Sequence, residues 1–217
     1  RQVMSMKIPP ELQRSIVQGE PPPAKFSVAE IRCETVLVEM RDATRLATDV
    51  YVPPLNRAPV VVARTPYGRN RDGNAFDGAL LAIARRRYVV VAQDCRGTGN
   101  SEPDHWDYYM FESEDSRDLI EWIGRQCWFD GFIGSFGSSY GGQTQWCMAT
   151  HPAMSAISPG VSGLGFGINT VHLHMFVNAY ARSMGKGAER ANVPFPELER
   201  LMIEETLAGG YFNRPLY

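Results

Sequence analysis

The stretch GSFGSSYGGQTQW, Gly134 to Trp146, contains Gly137-Ser138-Ser139-Tyr140-Gly141. Gly-X-Ser-X-Gly is the pattern of a nucleophile elbow, a sharp turn that lifts a serine oxygen above a sheet. The pattern alone is common, and a small-residue turn without chemistry would read the same way. Context separates the two readings. An elbow needs a strand immediately before it and a helix immediately after it; here FIGSF precedes and YGGQTQWCMAT follows. Glycines at 137 and 141 leave room for strand and helix to approach closely.

Upstream of the elbow, strands come first as a pair and then alternate with helices. ETVLVEM and RLATDVYVP are β-branched and roughly alternating, and the turn Arg41-Asp42-Ala43-Thr44 between them predicts an antiparallel pair. PVVVAR and YVVVAQD are continuous apolar runs, as expected of strands buried on both faces. FDGALLAIARRR between them reads as a helix, with Phe76, Leu80, Leu81 and Ile83 as its apolar positions. SEDSRDLIEWIGRQ reads as another helix, with Ser113 as its N-cap and Leu119, Ile120 and Ile123 facing the core. AMSAISPGVS predicts a sixth strand, and the character beyond Gly163 is helical. This order implies an α/β fold: a mostly parallel sheet with an antiparallel N-terminal pair and helices on both faces. The expected division is an arm or linker over residues 1–33, which includes the proline run GEPPPAKF, a core over 34–163, and the start of a helical cap over 164–217.

Composition narrows the function classes. The chain has 217 residues, 44% of them hydrophobic and 21% charged, with a net charge of −2 from interspersed signs. There is no basic block, so nucleic acid is not an expected partner, and no apolar run approaches the roughly 20 residues that span a bilayer. The N-terminal RQVMSMKIPP lacks the apolar core of a signal peptide, although a chain that begins with Arg1 is compatible with an earlier segment. Four cysteines, Cys33, Cys95, Cys127 and Cys147, lack metal-ligand spacing and read as buried, reduced thiols of a cytoplasmic protein. No metal or organic cofactor is expected.

A nucleophilic serine needs donors for the oxyanion of a tetrahedral intermediate. The first would be the backbone N–H of Tyr140, the residue after Ser139. The second would come from the loop after the third strand, RTPYGRNRDG, where Tyr67 carries a phenolic hydroxyl. Spacing alone reads Tyr67 equally well as an ordinary aromatic in a Pro-Tyr-Gly turn. Asp94 and Arg96 in DCRGTGNS read as a structural charge pair that holds the loop after the fourth strand. The neighbouring PDHWDYYMF reads as a solvated loop with a few anchoring rings.

MRDATRLATDVYVP, RTPYGR, RRRYVVVAQDCRGTGNSE, ESEDSRDLIEWIGRQCWFDG and IGSFGSSYGGQTQW occur in this order with short spacers. Together they resemble the serine hydrolases of the cocaine esterase, α-amino-acid ester hydrolase and X-prolyl dipeptidyl peptidase group, from about Glu34 to about Ser162. The resemblance implies an α/β-hydrolase fold, Ser139 as nucleophile, and the Tyr67 hydroxyl with the Tyr140 N–H as oxyanion hole. It also implies a small-molecule or peptide substrate with an ester or amide bond, cleaved through an acyl-enzyme. Acyl transfer or cyclisation would use the same parts, and a non-catalytic subunit would keep the fold without a full triad.

The remaining catalytic partners are hard to find. In this fold the acid and then the histidine follow the serine in the chain. No aspartate occurs after Tyr140, and the glutamates there (Glu189, Glu197, Glu199, Glu204 and Glu205) fall in predicted helix. His151 ends the helix after the elbow in a His-Pro turn, while His172 and His174 precede any seventh strand. The resemblance places the acid and histidine beyond the cap. They are therefore expected on the same longer chain or on a second polypeptide, unless this is a diverged relative without a triad. Homo-oligomerisation is compatible with each arrangement.

Overall fold

A computed structural model describes residues 19, 21–69, 75–104, 106 and 111–162. Its elements are β1 (Arg32–Glu39), β2 (Arg45–Val52), β3 (Ala58–Thr65), α1 (Ala75–Ala84), β4 (Val89–Asp94), α2 (Glu112–Gly124), β5 (Phe129–Ser138), α3 (Tyr140–Ala149) and β6 (Met154–Gly160). They form one six-stranded sheet in the order β1-β2-β4-β3-β5-β6. The pairs β1/β2 and β2/β4 are antiparallel, and β4/β3, β3/β5 and β5/β6 are parallel. The predicted turn joins β1 to β2, with Ala43 at φ 66°.

The two apolar runs lie at the centre of the sheet. All six residues of β4 are buried, and its side chains alternate between two cores. Val89 and Val91 join Val60, Val62, Leu119, Ile120, Ile123, Ile133 and Met148 on the face covered by α2 and α3. Val90 and Ala92 join Tyr51, Ala63, Leu80 and Ala84 on the face covered by α1. Each fully buried valine or leucine contributes on the order of 1.5–3 kcal/mol, so this double burial is the main stabilising term of the sheet.

The winding of the chain places the site. From β3 the chain crosses through α1 to β4 on one side, then returns through α2 to β5 on the other. The carboxyl ends of β3 and β5 therefore stand side by side at the point where the strand order reverses, where open α/β sheets form crevices. Tyr67 follows β3 and Ser139 follows β5.

Several expectations are corrected here. Ser113 does not cap its helix: the N-cap of α2 is Phe111, two residues earlier, and it makes no side-chain cap. The reason is Glu112, whose side chain turns inward to Arg64 and Tyr140 and draws the first turn back. FIGSF is the centre of a longer strand, the ten-residue β5. Asp94 and Arg96 do not pair with each other. Asp94 accepts from Arg69, and Arg96 donates to Asp115 and Asp42, because the loop turns the two side chains to different neighbours. None of the four cysteines is in a disulfide, but Cys33 and Cys127 are exposed and only Cys95 and Cys147 are buried. Burial pushes the Cys147 thiol up to about 12 and the Cys95 thiol well above its usual value, so both are poor nucleophiles.

Ahead of the sheet, Val28–Glu30 form a single 3-10 turn. Pro21 and Pro23 are exposed, while the Pro22 carbonyl accepts from Arg86 and the Phe26 carbonyl from Arg85 at 2.8 Å. The predicted helices beyond Gly163 lie outside the described residues. Among the described residues, no helix is long and apolar enough to cross a membrane.

Arg96 ties the β1–β2 turn to α2. Its guanidinium donates to Asp42 at 2.7 Å and Asp115 at 2.6 Å and lies 4.5 Å over the Phe111 ring. Its hydrogen bond to Asp42 holds that carboxyl down at about 2, against an ordinary value of 3.8. A depressed carboxylate stabilises the fold above its unfolded pKa and loses that contribution as pH falls through the folded one. Asp42→Asn should therefore flatten the stability profile between about pH 4 and pH 2, measured by denaturant unfolding. The Asp42 side chain is 45% exposed, so the change at neutral pH should be about 1 kcal/mol or less.

Candidate active site

Ser139 lies between β5 and α3 and is solvent-exposed. Its backbone is at φ 57°, ψ −120°, a conformation that a residue with a Cβ adopts only under constraint. The constraint is visible from both sides. Ser139 N–H donates to the Gly160 carbonyl at 2.9 Å, and the Ser139 carbonyl accepts from Gly142 at 2.9 Å and Gln143 at 3.0 Å. The serine is thus pinned to the end of β6 on one side and opens α3 on the other.

The glycines of the motif are there for space. Gly137 has φ 154°, and a Cβ on it would meet the Gly141 carbonyl oxygen at 2.7 Å. A Cβ on Gly142 would lie 2.6 Å from Ser162 Cβ and 2.7 Å from the Gly160 carbonyl oxygen. Behind the turn, the buried Gln145 amide donates to the Gly137 carbonyl at 3.0 Å and the Gly141 carbonyl at 3.1 Å. Its oxygen accepts from Ser135 at 3.1 Å and from the Ser158 N–H at 2.9 Å. One side chain thus ties β5, α3 and β6 together.

Both anticipated oxyanion donors lie at this turn. Tyr140 N–H donates to Tyr67 Oη at 3.2 Å, so the two groups are within one hydrogen bond of each other beside Ser139. Tyr67 is half-buried, and its own N–H donates to Thr65 Oγ1 at 3.0 Å. Two residues on, buried Arg69 fastens the loop: its N–H donates to Asp94 Oδ1 at 2.8 Å, and its guanidinium pairs with Asp94 and with Asp49 at 3.0 Å. Asp94 therefore acts on the site through Arg69 and the Tyr67 loop.

A buried charge cluster lies beneath the elbow. Arg64, fully buried on β3, donates to Gln93, to Ser116 at 2.9 Å and to Glu112 at 2.5 Å. Burial works against its charge, but Glu112 and Asp115 more than reverse that, and the guanidinium stays protonated. Asp115 is pushed up by burial despite its bonds to Arg96 and its proximity to Arg64. The second carboxylate oxygen of Glu112 accepts from Tyr140 Oη at 2.8 Å. Reading motifs along the chain missed Arg64, Glu112 and Gln145. The one available signal was Arg64 itself, an ionisable residue closing an apolar run that is buried on both faces.

No histidine among the described residues lies beside Ser139. His151 lies past the far end of α3, a helix of ten residues and hence about 15 Å long. Its Nδ1 accepts from Ala153 N–H at 3.2 Å, and burial together with Arg117 pushes its pKa down, as suits a structural residue. His172, His174 and the five glutamates from Glu189 to Glu205 lie outside the described residues.

The sequence profile of the X-Pro dipeptidyl-peptidase (S15) family matches residues 42–173, a span that holds the Tyr67 loop, the buried cluster and the elbow. The chain belongs to this family. Cocaine esterase from a Rhodococcus species is 38% identical over 143 residues, which is 63% of this chain and 24% of that protein. The chain thus spans about a quarter of the length of this relative. Among solved structures, an aminopeptidase from a marine-sediment Thaumarchaeota archaeon aligns with a TM-score of 0.56 at 25% identity, over 70% of this chain and 30% of its own. An α-amino acid ester hydrolase aligns with a TM-score of 0.54 at 26% identity, over 70% and 29%. The sheet of this S15-family chain is accordingly part of an α/β-hydrolase fold.

The packing of the elbow predicts opposite outcomes for two alanine substitutions. Gly137→Ala should destabilise by about 2–3 kcal/mol, because its Cβ meets backbone and its φ is strained. Gly78→Ala, in α1 with open space around it, should stabilise by about 0.5–1 kcal/mol. Paired denaturant melts check both.

Proposed function

We propose that this S15-family chain carries the nucleophile and the oxyanion hole of a serine hydrolase acting on an ester or amide bond. The observation that carries the reading is the convergence of the strained, exposed Ser139 with the Tyr67 hydroxyl and the Tyr140 N–H, which are 3.2 Å apart. Ser139 Oγ attacks the carbonyl carbon and passes its proton to a histidine. The carbonyl π electrons move to oxygen, and that oxyanion takes hydrogen bonds from Tyr67 and Tyr140. Collapse re-forms the carbonyl and expels the amine or alcohol, which leaves with the proton. Water then releases the acyl group by the same steps.

In this reading the triad acid and histidine come from outside residues 1–217, on the same longer chain or on a second polypeptide. Residues 34–163 are the catalytic core and 164–217 the start of a cap over the site. The partner is a small-molecule or peptide substrate, and the named relatives include enzymes of esterase and peptidase type.

The test uses the complete protein purified under native conditions. A fluorophosphonate probe should form an adduct on Ser139, and Ser139→Ala should abolish both labelling and turnover of an activated ester. Tyr67→Phe should lower kcat by about 10²–10³-fold, the usual cost of losing one oxyanion donor. A protein that folds but takes no label would make this a binding or subunit protein instead.

A further inference from the structure

Tyr140 has two separable parts. Its N–H belongs to the proposed oxyanion hole, and its side chain points the other way, into the protein. The ring is buried and lies 5.5 Å from Trp106, tilted by 51°. Its hydroxyl donates to Glu112 Oε1 at 2.8 Å, while Glu112 Oε2 takes Arg64 at 2.5 Å. The bonds continue across the sheet. Arg64 Nε donates to Gln93 Oε1 at 2.9 Å, Gln93 Nε2 to Thr48 Oγ1 at 3.0 Å, and Thr48 Oγ1 to the Leu46 carbonyl at 3.1 Å. Arg64, Gln93 and Thr48 are register partners on three adjacent strands. The phenol is thus tied to the most buried part of the sheet.

We propose that the Tyr140 side chain is a positioning element for its own N–H, with Glu112 and Arg64 as its anchor. This rests on the hydrolase reading above. The direction of that N–H depends on ψ of Ser139 and φ of Tyr140. Ser139 sits at φ 57°, ψ −120°, and any relaxation of that strain rotates the 139–140 peptide and swings the N–H off the oxyanion. Main-chain bonds hold the Ser139 side of this peptide, since its carbonyl accepts from Gly142 N–H at 2.9 Å and Gln143 N–H at 3.0 Å. On the Tyr140 side the N–H meets Tyr67 Oη at 3.2 Å, and the side chain is held by the buried phenol–carboxyl bond at 2.8 Å. An oxyanion donor works only when held in place before the charge develops. Glu112 is therefore a positioning residue, buried below the turn and bonded to the phenol.

Tyr140→Phe in the complete protein keeps the N–H and the ring but removes the phenolic bond. It should lower kcat on an activated ester about tenfold with KM within twofold, because the bond acts in the transition state. Affinity for phenylboronic acid, whose adduct with Ser139 presents an oxygen to the hole, should fall by a similar factor. Glu112→Gln, which keeps an acceptor for the phenol, should lose less, and the double variant should be no slower than the slower single one. If Tyr140→Phe and Glu112→Gln both keep kcat and boronate affinity within twofold while Tyr67→Phe loses both, the positioning role is overturned and the hydrolase reading stands. Losses that add independently in the double variant, or that appear in KM alone, overturn it too. A wild-type protein that neither takes the fluorophosphonate label nor turns over ester overturns both.

Discussion

Arg64 places a guanidinium with no solvent exposure at the carboxyl end of β3, and the elements above the sheet are arranged around it. A charge in such a place is several kcal/mol unfavourable unless paired and hydrogen-bonded. Glu112 and Ser116 come from the first turns of α2, Gln93 from β4, and Asp115 approaches to 3.6 Å. Removing Glu112 outright would leave the arginine only the more distant Asp115, and breaking a buried pair typically costs roughly 3–5 kcal/mol. An apolar residue could fill the same volume with similar stability. What an apolar core could not do is bond the Tyr140 phenol and so link the sheet to the elbow.

The same logic governs the other side of the site. Arg69 is also buried, and its carboxylate partners Asp94 and Asp49 lie on two different strands. One arginine thus follows the Tyr67 loop and another lies beneath Tyr140, and each is neutralised by groups on the sheet or its helices. Loops are ordinarily the mobile parts of an α/β fold. Here the Tyr67 loop is tied to the sheet by the Arg69 ion pairs, and the elbow by the hydrogen bond from Tyr140 to the Arg64-paired Glu112.

The fold was largely legible because its strands carry strong patterns. PVVVAR and YVVVAQD read as doubly buried strands, and the two cores are those faces in space. The Gly-X-Ser-X-Gly turn was legible because its flanks changed period from strand to helix. What failed were statements about which charges meet. Asp94 and Arg96 are two residues apart, which suggests a pair, yet each finds its partner through topology: Arg69 from the β3 loop, and Asp115 from α2. Ser113 had the right chemistry for an N-cap, but local preference yields to burial, and Glu112 is drawn in to Arg64 at the carboxyl end of β3. The Glu112–Tyr140 bond spans 28 positions and belongs to no local motif.

The site is divided unevenly along the chain. Tyr67 follows β3 and Ser139 and Tyr140 follow the neighbouring β5, so the proposed nucleophile and donors need only the strands described here. A base for the proposed reaction has no such requirement: it would reach Ser139 from the solvent side, since the sheet side is occupied by Glu112, Gln145 and the Gly160 carbonyl. His151 is excluded by the length of α3 and by the bond its Nδ1 already accepts. The base that the proposed reaction requires would therefore approach from above the carboxyl end of the sheet, the side on which Ser139 is exposed.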